Sequence, residues 1–153
     1  MGVLLGGLLA QRLAVNNIRW YMWVPAIAAL ISAPFFVGTF SAQSPTVALI
    51  LFIVPGFLAT VYLGNTLAMV HGMVGMRMRA VSSAILFFVL NLIGLGLGPW
   101  SVGLLSDYLE PTQGVESLRY ALLYLVPVAS VWSCVHFVLA SRSLEADLAS
   151  APN

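Results

Sequence analysis

The feature that most constrains this chain is where charge is missing. No Asp, Glu, Lys or Arg lies between Arg19 and Arg77, none between Arg79 and Asp107, and none between Arg119 and Arg142. An apolar helix needs roughly 20 residues to cross the hydrocarbon core of a bilayer. The first gap has room for two crossings, with the polar segment GTFSAQSPT (38–46) as the turn between them. The pattern predicts spanning helices at about 20–39, 46–72, 80–105 and 119–141, preceded by a short stub over 1–13 and followed by a tail over 142–153. The second and third spans are longer than a perpendicular crossing requires, which implies tilt or ends that emerge into water. Only 7% of the 153 residues are charged, against about a quarter in a soluble domain. That is too little to cover a water-facing surface, and an all-α integral membrane protein is expected.

The same scarcity excludes several function classes. Six arginines, no lysines and five carboxylates leave a net charge of +1, which suggests no nucleic-acid partner. Cys134 is the only cysteine and cannot form an internal disulfide; in its apolar run it reads as a packing residue. The sequence holds no metal-ligand cluster and no nucleophile–base pair. The alternating glycines of GLGLGP (94–99) sit inside a spanning helix and lack the strand–turn–helix context of a phosphate-binding loop. No catalytic residue, metal or cofactor is expected, and the chain does not read as an enzyme.

Arginine placement sets an orientation. Arg12 and Arg19 precede the first full span, Arg77 and Arg79 separate the second from the third, and Arg142 follows the fourth. The opposite face carries Asp107, Glu110 and Glu116 with Arg119 alone. The positive-inside rule then places the C-terminus in the cytoplasm, in a plasma (inner) membrane. Trp20, Tyr21 and Trp23 at the inner mouth of the first span, and Tyr108 and Tyr120 at outer mouths, suit interfacial anchors and equally suit helix packing. The stub has about ten apolar residues before Arg12, too few to cross. Nothing basic precedes Arg12, against a signal peptide, and position six is Gly6, against myristoylation at Gly2. It reads best as the tail of a spanning helix that begins earlier.

One phrase occurs twice: GLLAQRL (7–13) and GLLSDYL (103–109). Each ends a hydrophobic segment, and three crossings separate them, so the copies lie on opposite sides of the membrane. An inverted three-helix repeat predicts this arrangement; a chance match of seven common residues predicts it as well.

The stub resembles the Gly-x-Leu-Ala-Asp-Arg loop motif of the major facilitator superfamily, here Gly7-Leu8-Leu9-Ala10-Gln11-Arg12. GPWSVGLLSD, with Gly98, Pro99, Gly103 and Asp107, resembles the end of that family's helix eleven, and ESLRYAL and ASRSLEADL resemble the spinster-like branch. The resemblance implies a partial six-helix bundle running from the end of helix eight to helix twelve. It implies a transporter working by alternating access on a small organic, amphipathic or lysolipid-like solute, with helix seven absent and an absent N-terminal half as partner. Gln11 stands where the family has an aspartate, which removes the charge from that loop while Arg12 keeps the basic position.

Residues inside the spans suggest how such a bundle works. Gly56, Thr60, Gly64, Ala68 and Gly72 recur every fourth position, nearly one helix face, and small faces allow close helix approach in lipid. Gly94 and Gly98 repeat the device, and Pro99 adds a bend. Pro25, Pro34, Pro55 and Pro127 interrupt the other spans. By the resemblance, the second span lines the central cavity, which makes Tyr62 and Asn65 the first candidates for solute contact and Asn91 a third; hydrogen bonds between helices are the alternative for each. His71 and His136 read as interfacial or packing residues. No carboxylate lies in any span. Since intramembrane ionisable groups mark proton paths, a proton-coupled mechanism would keep its titrating group in the absent half. Two readings compete. A self-contained four-span scaffold or partner subunit accounts for a short chain but not for the stub. A dimeric small multidrug transporter wants an intramembrane carboxylate.

Overall fold

The computed structural model describes residues 2–151, in which every regular element is helical. The stub forms helix α1 (Gly2–Ala14), and a turn leads into α2 (Trp20–Ser41). At 1.5 Å per residue, the 22 residues of α2 reach about 33 Å, enough to cross the core of a bilayer. The segment predicted as one helix over 46–72 is two, α3 (Pro45–Leu58) and α4 (Val61–Gly72). At the junction the Thr60 amide reaches Phe57 O at 3.3 Å and the Thr60 hydroxyl donates to the same oxygen at 2.9 Å. This tighter three-residue spacing replaces the regular four-residue ladder, and Pro55, which lacks an N–H, lies just ahead of it.

The next span is also interrupted. After a 3-10 turn (Met76–Met78), α5 (Arg79–Val89) passes into a π-helical stretch (Leu90–Leu97) and then α6 (Gly98–Gln113). The Gly98 amide bonds Ile93 O, five residues back. Pro99 explains the local widening: its ring would press on the carbonyl four residues earlier in a regular α-helix, and a wider turn relieves this. Gly114, at φ 54° and ψ −129°, then turns the chain back in a conformation essentially confined to glycine. The 33-residue α7 (Ser117–Ala149) packs along α6, with Ser106 Oγ and Ser117 Oγ 3.1 Å apart at the hairpin end.

Among the described residues, three helical stretches are long and apolar enough to cross a membrane: Trp20–Ser41, Pro45–Gly72, and Met76–Ala149, the last folded back at Gly114. Many large side chains face outward, Leu49 (69% exposed), Ile53 (67%) and Leu95 (73%) among them. A water-soluble monomer does not carry an apolar surface on this scale, whereas lipid solvates it. This is an integral membrane bundle.

Helix α2 is its hub. It packs along α7, against α3 and α4, and against α1. One buried cluster joins Ala10, Val24, Ala28 and Val61 from α1, α2 and α4; a second joins Met22, Met69 and Leu144 from α2, α4 and α7. Both lie toward the Arg19 end of α2. The α2–α7 pair is antiparallel and pinned at both ends. Arg19 bridges Glu145 at 3.1 and 3.3 Å, and Trp23 Nε1 donates to Ser141 Oγ at 3.0 Å. At the other end Arg119 Nε donates to Phe40 O at 2.7 Å, using a carbonyl in the last turn of α2 that has no partner in its own helix.

The small-residue face of α3–α4 is divided between neighbours. A Cβ at Gly64 would lie 3.1 Å from Val3 Cγ1, and one at Gly72 would lie 3.2 Å from Leu148 Cδ2. Gly56 has only Phe52 of its own helix near it. The tightest approach belongs to α1, whose Gly2, Gly6 and Ala10 are buried at four-residue spacing. A Cβ on Gly2 would collide with the Thr60 hydroxyl, and one on Gly6 would lie 2.6 Å from Val61 Cγ1.

Candidate functional site

The two interrupted helices face each other across an open cavity of about 820 Å³. Leu58, Ala59 and Tyr62 reach it from the α3–α4 junction, and Gly94, Gly98 and Pro99 from the π-helical side. Helices α2 and α7 supply the remaining walls. The cavity exists because the third span meets the bundle near its ends, α5 on α4 and α6 on α7, while its middle stands away.

The walls are mostly apolar, and three of their four serines turn their hydroxyls back on their own helices. The hydroxyls of Ser32, Ser101 and Ser130 donate to Ala28 O (2.8 Å), Gly98 O (2.8 Å) and Val126 O (3.0 Å) of their own helices. In a medium without water this satisfies each donor internally, so these serines present little polarity to an occupant. Tyr62 brings a ring and a hydroxyl to the same wall.

The three candidate solute-contact residues are not brought together. Tyr62, half-buried, lines the cavity. Asn65, one turn further along α4, is fully buried; its Nδ2 donates to Val61 O at 3.3 Å and its Oδ1 has no partner among the described residues. Asn91 is exposed and donates from Nδ2 to Phe87 O at 2.6 Å, within its own helical turn. The glycines also separate. Gly94, Gly98 and Gly103 border the cavity, and a Cβ on any of them would meet nothing within 4 Å. The close neighbour expected for Gly94 and Gly98 is therefore not part of this chain's described packing. Gly7 is equally open; the packed glycines of α1 are Gly2 and Gly6. Gln11 and Arg12 are exposed in the last turn of α1, and Asp107 is exposed within α6.

The histidines take structural places. His71 Nε2 lies 2.6 Å from Ser83 Oγ, tying α4 to α5. His136 Nδ1 lies 3.1 Å from Trp132 O, with its ring 5.0 Å from the Trp132 ring. The pins Arg19–Glu145, Trp23–Ser141 and Arg119–Phe40 were not expected from the sequence, because their partners lie 126, 118 and 79 residues away. The packed face Gly2–Gly6–Ala10 was readable from the four-residue spacing already noted in the second span.

Fold and site define a class: a membrane-embedded helical bundle with two broken helices facing an apolar cavity. Comparison with known proteins narrows it. No family model matches the chain. Over 148 residues it is 30% identical to a protein of Mycolicibacterium smegmatis (strain ATCC 700084 / mc(2)155) named as an MFS-type efflux pump. The alignment takes in 97% of this chain and 34% of that protein, so the chain spans about a third of the length of the relative it matches.

Proposed function

We propose that this chain is the C-terminal part, helix eight to helix twelve, of a major facilitator transporter that exports a small amphipathic organic solute by alternating access. The observation that carries the reading is the 30% identity maintained along 97% of the chain to a protein named as an efflux pump. The apolar helices support a membrane setting, and the breaks at 59–60 and 90–97 support a bundle whose helices bend where a cavity lies. The amphipathic solute class is suggested by the phrases similar to the spinster-like branch and by the apolar cavity walls. In this reading the protein sits in the plasma membrane with its C-terminus in the cytoplasm, and the rest of the transporter supplies the opposing bundle and any proton-carrying group. Tyr62 is the first residue to test for solute contact; Asn65 and Asn91 follow, through shifts that would free them from their present hydrogen bonds.

The test has two parts. The native gene product, detected through its C-terminus, is expected at roughly 40–50 kDa, the mass of about twelve spans of 20-odd residues with loops. Cells carrying the gene are expected to expel a fluorescent amphipathic dye faster than cells lacking it. A product of 16.4 kDa together with unchanged dye retention would refute the reading.

A further inference from the structure

We infer that a second, shallower groove between α2 and α7, on the side of the pair facing away from the cavity, holds an acyl chain of an anionic phospholipid whose phosphate rests on Arg142. The lipid belongs to the leaflet at the Arg19 end of the bundle. The inference needs only the membrane setting and does not depend on what the protein exports.

The groove measures about 430 Å³, and its walls include Pro34 and Val37 of α2 and Pro127, Val131, Trp132 and Val135 of α7. No wall residue carries a charge or a hydroxyl. Short side chains leave the trough, since proline and valine reach less far than the leucines and phenylalanines elsewhere on the two helices. Along α7 the cavity takes Leu122, Val126, Ala129 and Ser133. At 3.6 residues per turn these occupy the face opposite Val128, Val131 and Val135, so the groove opens outward, where lipid is the solvent.

Charge and length select the occupant. Val128, Val131, Val135, Val138 and Arg142 follow one another at steps of three and four, a single stripe along α7, and every one of them is exposed. The stripe thus leads from the groove to a guanidinium. Arg142 has no ion-pair partner among the described residues, and Glu145, one turn further on, is engaged by Arg19 at 3.1 Å. From Pro127 to Arg142 the helix rises about 22 Å. One leaflet with its headgroups is about 20–22 Å deep, half of a 40–45 Å bilayer. A chain lying along the stripe therefore ends in the groove when its phosphate is level with Arg142. Guanidinium grips phosphate oxygens through paired N–H donors, and a lone cation favours a headgroup of net negative charge over one whose own ammonium competes. An apolar helix laid in the groove would leave that cation without an anion.

Trp132, 66% exposed on the groove wall and about 15 Å along α7 from Arg142, is the reporter. The native full-length product is reconstituted in phosphatidylcholine vesicles containing rising fractions of phosphatidylglycerol or phosphatidylcholine brominated at mid-chain. Quenching of Trp132 is read as the difference between the wild type and Trp132→Phe. Brominated phosphatidylglycerol is expected to reach half-maximal quenching at a roughly five-fold lower mole fraction than brominated phosphatidylcholine, the advantage of one arginine beside an anionic headgroup. Arg142→Gln should abolish that preference. Arg142→Lys, which keeps the charge, and Arg77→Gln, which removes another exposed arginine, should retain it. Equal quenching by the two lipids in the wild type would reduce the groove to ordinary lipid contact and overturn the site. A preference that survives Arg142→Gln would overturn it too, and so would the absence of quenching by either lipid, which would mean that protein covers the groove.

Discussion

Gly6 and Gly7 are adjacent in α1, and the structure separates them sharply. A Cβ on Gly6 would lie 2.6 Å from Val61 Cγ1, 3.1 Å from Val61 Cβ and 3.2 Å from Val61 Cα, whereas a Cβ on Gly7 would meet nothing within 4 Å. Val61 cannot swing aside, because a β-branched residue in a helix holds essentially one χ1 rotamer, and it is 4% exposed within a packed cluster. Gly6→Ala must therefore push α1 off α4. Overpacking of this kind costs about 1–3 kcal/mol, and the better helix propensity of alanine returns up to about 1 kcal/mol. With the full return the net is a loss of up to about 2 kcal/mol, or as much as roughly 30-fold in the folded-to-unfolded ratio. Gly7→Ala takes the propensity gain alone and is expected to be neutral or slightly stabilising. Denaturant titration in mixed micelles, followed by tryptophan fluorescence, to which Trp20 contributes from beside the α1 cluster, reads both. Equal midpoints for the two variants would refute the α1–α4 packing, as would a larger loss at Gly7.

Arg119→Ala removes the donor to Phe40 O and the 2.8 Å bridge to Glu116. With the Arg119 side chain 38% exposed, screening limits the loss to about 1 kcal/mol, read as a lower denaturation midpoint; no change would mean that this pin is idle. Trp23→Phe and Ser141→Ala each break the 3.0 Å indole–hydroxyl bond and are expected to cost about 1 kcal/mol. In a double-mutant cycle the pair should be non-additive, and simple additivity would deny the contact. Tyr62→Ala in the full-length transporter is expected to raise the solute concentration for half-maximal export with surface abundance unchanged. Asn91→Ala, which breaks only a bond within its own helix, should impair export less than Tyr62→Ala, and the reverse ranking would move the site to the π-helical side.

The helical segments were legible because a gap in charge is a local, one-dimensional property and hydrocarbon imposes it directly. The break after Leu58 was not. Pro25, Pro34 and Pro127 lie inside helices that continue through them, so proline alone does not mark where a helix divides. At Pro55 the difference is tertiary: α1 lays Gly2 against Phe57 and Thr60, beside the carbonyl that the Thr60 hydroxyl and amide both engage. Tyr62 and Asn65 illustrate the same limit within one turn. Three residues apart, they share much of a helix face, yet one reaches the cavity and the other is sealed inside the bundle. Which way such a face turns depends on where α1 and α2 dock, and spacing along α4 does not contain that information.

The same physics explains why the openings in this bundle coincide. Each break in a spanning helix frees backbone polar groups, and in hydrocarbon every one left unpaired is costly. At the α3–α4 junction the Thr60 hydroxyl adds a donor to Phe57 O. On the opposite wall the wider π turn re-pairs the Gly98 amide with Ile93 O, and Ser101 adds a donor to Gly98 O. Both repairs are made within the broken helix itself. Neither helix therefore needs a neighbour's polar side chain to tolerate its bend, and the space between the bends is left to be filled by apolar contact. A polar group introduced on this wall, as in Ala59→Asn, can bond back to a carbonyl of its own helix as Ser32, Ser101 and Ser130 do, because a carbonyl has two lone pairs; only what it leaves unpaired would draw water or an occupant's polar group into the cavity. On the transporter reading, the mildness of such a substitution for folding, set against its effect on export, measures how wet the cavity is in the full protein.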